Sequence, residues 1–422
     1  MSDQDLVRLW RLYRAVDVWG ARVWSPQRLK EIAHPPKKKE HWEPLDATAI
    51  PRPDVETVLA AAESGAAGEA DLVYHMLHAH PGETWGSRGF DELTHPAKLA
   101  EHEPPEWVPR VVDRVVGRIV ELELQRSDAA TDTTGPAQAL ECTGGMRTAL
   151  AALVRLNEAK LARNSPRWHN DKSAVLTALM AKARPGAGET PAAFGAAAKQ
   201  MGVGEERLID LAVLSPQWAP FVEGALGWEG LVEGVWWIHA HTKDNDWRLD
   251  FEVQEARAAS IAERTPLHAD ELKDGAVDVE WFKRVYGALG KSRWERLYAA
   301  AKYACGGIGH KRAQLFADAM LGRVKEKEVT DRIKAKRHQD SIRALGLLPL
   351  KAGAKGAVLA RYRVMQEIRR TSRKHGGSML QASEKRAVEI GMENLARTGG
   401  YPDPVRLQWG MECEEVADLE KG

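Results

Sequence analysis

The chain is short of cysteine, of surplus charge and of long apolar runs, and each shortage removes a class of protein. Three cysteines occur in 422 residues, Cys142, Cys305 and Cys413. They are far apart, odd in number and without a C-x-x-C spacing. Neither a disulfide framework nor a cysteine zinc site is encoded, and a reducing cytoplasm is the expected compartment. Lys and Arg number 60 and Asp and Glu number 60, for a formal charge of zero. Any case for a polyanionic partner therefore has to be local. No stretch approaches the roughly 18 apolar residues of a membrane span, and the opening MSDQDLVRLWRLYRAVDVWG is charged throughout. A soluble chain without membrane contact is expected.

Sustained period-two alternation bounded by turn residues is missing as well, which argues against a sheet. Helical spacing is present almost everywhere. In VPRVVDRVVGRIVELELQR, Val112, Val115, Val116, Ile119 and Leu122 fall at three- and four-residue steps with Arg and Glu on the other face. Further helices are expected from Asp54 to Leu77, from Met146 to Leu161, in three stretches between Ser173 and Trp247, and from Val358 to Lys374. Thr265 before Pro266 and Asp278 before Val279 read as helix starts. Three helices end in Ala-Leu-Gly, at Gly227, Gly290 and Gly346, each glycine reading as a left-handed cap. The fold class is all-α, an array of helical hairpins in the manner of a HEAT or armadillo α-solenoid.

Four regions are expected. Residues 1–50 hold a short helix and the Pro/Lys-rich arm HPPKKKEHWEPLD, and 51–165 are helical. Residues 166–330 carry most of the tryptophan: the chain has 15 Trp against 6 Phe and 7 Tyr, more than half of them from Trp168 to Trp294. Burial is the default reading of such an excess. Residues 331–422 are basic with an acidic tail.

The stretch AKYACGGIGHKRAQLF is the strongest chemical signal. A glycine turn opening a helix can hold an anion on unpaired backbone N–H groups. A Walker loop needs a preceding strand and a Ser or Thr after the lysine, and neither is here. The spacing favours a helix–loop–helix corner, with an anion site at Lys302, Gly306, Gly307, Gly309, His310, Lys311 and Arg312 as the second reading. In VWWIHAHTKD, His239 and His241 have H-x-H spacing, but in a helix residues two apart diverge, so no metal set is expected. ECTGGM around Cys142 has no nucleophile context, and no catalytic residue or cofactor is assigned.

Between residues 331 and 390, 15 Lys and Arg face 5 Asp and Glu. The arginines from Arg361 to Arg373 are spread round their helix, so part of this charge must meet a neighbour or a partner. The partner-binding residues expected are Lys334, Lys336, Arg337, Arg369, Arg370, Arg373 and Lys374.

Several blocks together resemble a known group: RVVDRVVGRIVELELQRSD, SPQWAPFVEGALGWEGLVEGVWWIHAHTKD, AKYACGGIGHKRAQLFADAML and QASEKRAVEIGMENLARTGGYPDPVRLQW. They are similar to the central region of large bacterial molybdate-metabolism-regulator-like proteins, some of which carry a WGR domain. The resemblance implies a piece of a longer chain that continues into a further C-terminal domain, and it implies no chemistry. The reading that follows is a non-catalytic scaffold of a larger bacterial protein, regulatory or associated with nucleic acid, whose partners are a protein, other domains of a longer chain, or nucleic acid. The alternative is part of an enzyme with a phosphate or nucleotide site at the Gly306–Arg312 turn.

Overall fold

The computed structural model describes residues 8, 10, 11, 55–77, 93–157, 159–163, 170–243, 251–350, 355–374 and 377–419. The described residues are helical and include no strand. The Pro/Lys-rich arm, Trp168 and Trp247 lie outside them. The chain divides into two compact units, Met1–Ala162 with Pro166–Ala187, and Arg163–Ser165 with Gly188–Gly422.

The first unit contains α1 (Val55–Glu63), α2 (Glu69–Leu77), α3 (Pro96–Glu101), α4 (Trp107–Gln125), α5 (Thr134–Ala139), α6 (Met146–Leu156) and α7 (Lys172–Lys182). Its long helix α4 buries Val108, Val112, Val115 and Ile119 as the periodicity requires. The polar face holds a surprise, because Glu123 is buried beside Arg126 at 3.0 Å. The threonines of SDAATDTTGP make this tolerable: Thr131, Thr133 and Thr134 donate hydroxyl hydrogen bonds to the Glu123 carboxylate at 2.5, 2.8 and 3.1 Å. Helix α6 stops at Leu156, short of the expected Leu161, because Asn157 turns to a φ of 50°.

The second unit contains α8 (Pro191–Gln200), α9 (Glu205–Leu214), α10 (Ala219–Leu226), α11 (Leu231–His241), α12 (Phe251–Ala262), α13 (Ala269–Asp274), α14 (Val279–Ala300), α15 (His310–Met320), α16 (Glu326–Lys336), α17 (Gln339–Leu345), α18 (Lys355–Thr371), α19 (Ser378–Gly399) and α20 (Pro404–Leu419). Near neighbours in sequence pack together: α8 on α10, α11 on α14 and α15, α16 on α17, and α19 against both α17 and α18. Trp218, Trp237, Trp281 and Trp294 are fully buried. Trp237 stacks on His241 at 4.4 Å and meets Trp294 edge-on at 5.8 Å, which makes the α11–α14 contact an aromatic core.

Asp278 caps α14 by accepting from the Trp281 N–H at 2.9 Å. Thr265 starts no helix; its hydroxyl donates to Asp278 at 3.0 Å, and α13 begins only after His268. The three Ala-Leu-Gly ends also separate. Gly227 is a left-handed cap, Gly290 is a kink inside α14, and Gly346 has a φ of −69°. Gly346 is a glycine for a different reason: a Cβ there would collide with the backbone of Gly391 and Leu395 where α17 crosses α19.

Candidate functional site

The GGIGHKR segment is a corner between α14 and α15. A single 3-10 turn, Ala301–Tyr303, ends the first helix, and His310 opens the second. Gly309 is required because the Lys243 carbonyl occupies the space a Cβ would need, and the Lys243 N–H donates to Gly309 O at 3.1 Å. The free N–H groups of the α15 start are engaged locally. His310 N–H donates to Cys305 Sγ at 3.3 Å, Lys311 N–H to Ile308 O at 3.0 Å, and Arg312 N–H to Gly309 O at 3.1 Å.

Arg163 braces the corner, donating to Lys302 O at 2.9 Å and to Gly307 O. Its guanidinium also lies 3.4 Å from His310 Nδ1; since arginine only donates, that nitrogen is the acceptor. Burial, then the Arg163 charge, holds the His310 imidazole below its ordinary range. The Lys302 ammonium sits over the Tyr303 ring at 4.8 Å. Gly306 is half-buried, whereas Gly307 and Lys311 face solvent.

Arg312 points away from the turn. It is buried and donates to four backbone carbonyls: His241 at 2.9 Å, Thr242 at 3.2 Å, Leu272 at 3.3 Å and Lys273 at 2.7 Å. These are C-terminal carbonyls of α11 and α13, of which Leu272 O also accepts the Gly275 N–H at 2.9 Å, so one guanidinium joins two helix ends whose dipoles favour a cation. Burial pulls its pKa down to about 10, which leaves it charged at neutral pH.

Behind this joint lies a cavity of about 490 Å3, walled by the ends of α11 and α13, by α12, and by Ala304 and Arg312 of the corner. Lys243, Arg257, Lys273 and Arg312 line it, with Asp270 the one carboxylate among its described lining residues. His239 also lines it; its Nε2 donates to Val213 O at 2.8 Å, and burial, then Arg257, pushes its pKa down to about 3. His241 turns the other way, its Nδ1 donating to Trp237 O at 2.7 Å, and burial drives it down to about 4. The two imidazoles thus serve separate carbonyls, the divergence expected of residues two apart in a helix. Cys142 lines a larger cavity of about 1090 Å3 in the first unit, among α3, α4 and the start of α6.

In the last third the ends of the two basic helices α16 and α18 are tied together. Arg337, at the end of α16, holds Glu384 of α19 through two bonds of 2.5 and 2.7 Å, and donates to Ile368 O and Thr371 Oγ1 at the end of α18. Ser372 Oγ donates to the same buried Glu384 at 2.8 Å. Arg337 so ties the end of α16, where Lys334 and Lys336 are exposed, to the end of α18 and the turn after it, where Arg369, Arg370, Arg373 and Lys374 are exposed. Arg370 pairs with Glu367 at 2.5 Å; the other five have no ion-pair partner among the described residues. Part of the remaining charge is absorbed internally. Arg361 is buried against Glu326 and Leu348 O, and Arg363 pairs with Glu415 of the acidic tail at 2.9 Å.

Glu384 and the cavity lysines were beyond sequence reasoning, since their partners lie tens of residues away, and Arg337, expected at the partner-binding surface, is held by Glu384. The partial exception is Arg361, for which the spread of arginines round α18 already required a neighbour.

An all-α protein with a cationic cavity and a basic edge is the class that these features define. The chain belongs to the family of unknown function DUF5724, whose model matches residues 9–411. No curated protein and no solved structure matches it. Among the described residues no helix is long and apolar enough to cross a membrane, and all three cysteines are free.

Proposed function

We propose that this chain is a non-catalytic binding module that docks on the phosphate backbone of a nucleic acid through the edge formed by the ends of α16 and α18. One observation carries the reading: the Arg337 clamp ties the ends of α16 and α18, whose exposed basic residues mostly have no ion-pair partner among the described residues. Long, unpaired cations on one edge are what counterion release from a polyphosphate requires. A neutral whole-molecule charge does not oppose this, because the field is local. The resemblance to molybdate-metabolism-regulator-like proteins supports reading the chain as one module of a larger bacterial protein, working in the cytoplasm.

The test is fluorescence anisotropy of labelled single- and double-stranded DNA and RNA across a salt series, with an Arg369→Glu/Arg370→Glu/Arg373→Glu variant alongside. With about five phosphates engaged, the logarithm of affinity for duplex DNA falls with the logarithm of salt at a slope near −4 to −5, and the variant loses binding. Absence of binding at low salt, or a variant that binds as well as the parent, removes the proposal.

A further inference from the structure

We infer that the outer face of α20 is a self-association surface, on which a second copy of this chain docks antiparallel about a two-fold axis at Trp409. Helix α20 packs on α19 and α18 and buries Leu407 and Met411 completely. The opposite side stands in solvent: Val405 is 54% exposed, Trp409 60% and Val416 56%, and Cys413 is exposed as well. Steps of four, four and three residues put these four on one face of the helix. Among the described tryptophans Trp409 is the one left exposed, whereas Trp218, Trp237, Trp281 and Trp294 are fully buried. A tryptophan within a row of exposed apolar side chains is the kind of residue that anchors an interface.

The residue types on this face point to a second copy as its occupant. Across a two-fold axis residue i meets j and j meets i, so a surface pairs with itself only if its residues are complementary about one centre. About Trp409 they are: three residues out lie Arg406 on one side and Glu412 on the other, and four residues out lie Val405 and Cys413. Antiparallel docking therefore stacks Trp409 on its own copy, sets Arg406 of each chain against Glu412 of the other, and sets each Val405 against Cys413. Arg406 donates through Nη1 to Asp403 at 2.5 Å, and Glu412 accepts through Oε1 from Gln408 at 2.6 Å. These bonds within the helix hold both side chains in place, and they leave Arg406 Nε and Nη2 and Glu412 Oε2 with no bond among the described residues, so the contact across the axis adds to them. A parallel pair would instead bring the acidic second halves of the two helices, with Glu412, Glu414 and Glu415, side by side and align their dipoles. The face is only about three turns long, less than the roughly 800 Å2 per partner of a standard interface, so a weak dimer with Kd on the order of 10 µM is expected.

The experiment is sedimentation equilibrium of the full chain under reducing conditions, from about 1 to about 200 µM. The mass rises from that of one chain towards that of two. Trp409→Glu, at an exposed position, keeps the parent's melting temperature and stays monomeric. Arg406→Glu and Glu412→Arg each weaken association by roughly fivefold, and the double variant Arg406→Glu/Glu412→Arg restores it, which only a register that brings these two positions together can do. On air oxidation Val405→Cys gives a disulfide-linked dimer, and Val405→Cys/Cys413→Ser does not. A chain that stays monomeric throughout overturns the inference and leaves the face to a different partner. A Trp409→Glu variant that associates as well as the parent, or charge reversals that the double variant fails to rescue, overturns it too.

Discussion

Replacing Arg312 tests the central joint of the second unit. Arg312→Met keeps much of the aliphatic volume but removes every donor, leaving the carbonyls of His241, Thr242 and Lys273 without the Arg312 hydrogen bonds, while Leu272 O keeps the Gly275 N–H. A buried acceptor stripped of its donor costs on the order of 1–3 kcal/mol, and the three are not additive because they share one guanidinium. Partial rearrangement and solvent entry near Lys273 reduce the total further, so about 3–5 kcal/mol is expected, in line with removing one member of a buried charged network. For a unit of this size that corresponds to a fall in Tm of roughly 10 °C. Trp218, Trp237, Trp281 and Trp294 are all buried in the same unit, so tryptophan fluorescence during thermal or urea unfolding reports the change directly. Arg312→Lys retains the charge but not the fork that reaches two helix ends, and falls between parent and methionine variant. A methionine variant melting within about 2 °C of the parent, or a lysine variant indistinguishable from it, refutes the assignment of Arg312 as the joint.

Gly309→Ala forces the Lys243 carbonyl to move and costs about 3 kcal/mol, whereas Gly307→Ala, at an exposed site with open space around it, stays within about 0.5 kcal/mol; paired urea melts distinguish the two. His241 gives the fold an acid-sensitive element. Burial, with Arg312 adding to it, holds the imidazole near 4 against an ordinary 6.5. Between those values the unfolded chain binds a proton that the folded one refuses, so this contribution is present at neutral pH and declines as pH falls from about 6.5 towards 4. From pH 7 to pH 5 the loss amounts to about 2 kcal/mol, and His241→Phe, which keeps the stack on Trp237, removes that share and leaves the part due to the likewise depressed His239; a limb as steep as the parent's contradicts the neutral buried imidazole.

Sequence alone carried the secondary structure a long way, because helix formation depends on neighbours three and four residues apart. The stripe on α4, the Asp278 cap and the divergence of His239 from His241 were legible on that basis. So was the aromatic core of the second unit, since a cluster of tryptophans has few places to go except inside. The same locality made the Ala-Leu-Gly echo misleading. Glycine at 346 answers to the approach of α19, more than 40 residues on in the chain, and only at 227 does it make a simple left-handed cap.

The destinations of charged side chains were decided by tertiary structure. A guanidinium reads identically in sequence whether it ends on helix carbonyls, as in Arg312, on a buried carboxylate, as in Arg337, or in solvent, as in Arg369. Which of these occurs depends on what another helix brings within a few ångströms, and that partner can be 47 residues away, as between Arg337 and Glu384, or 71, as between Arg312 and His241. Helical periodicity is a local property of the chain and survives in one dimension; the balance between desolvating a charge and pairing it is set only once the helices have packed.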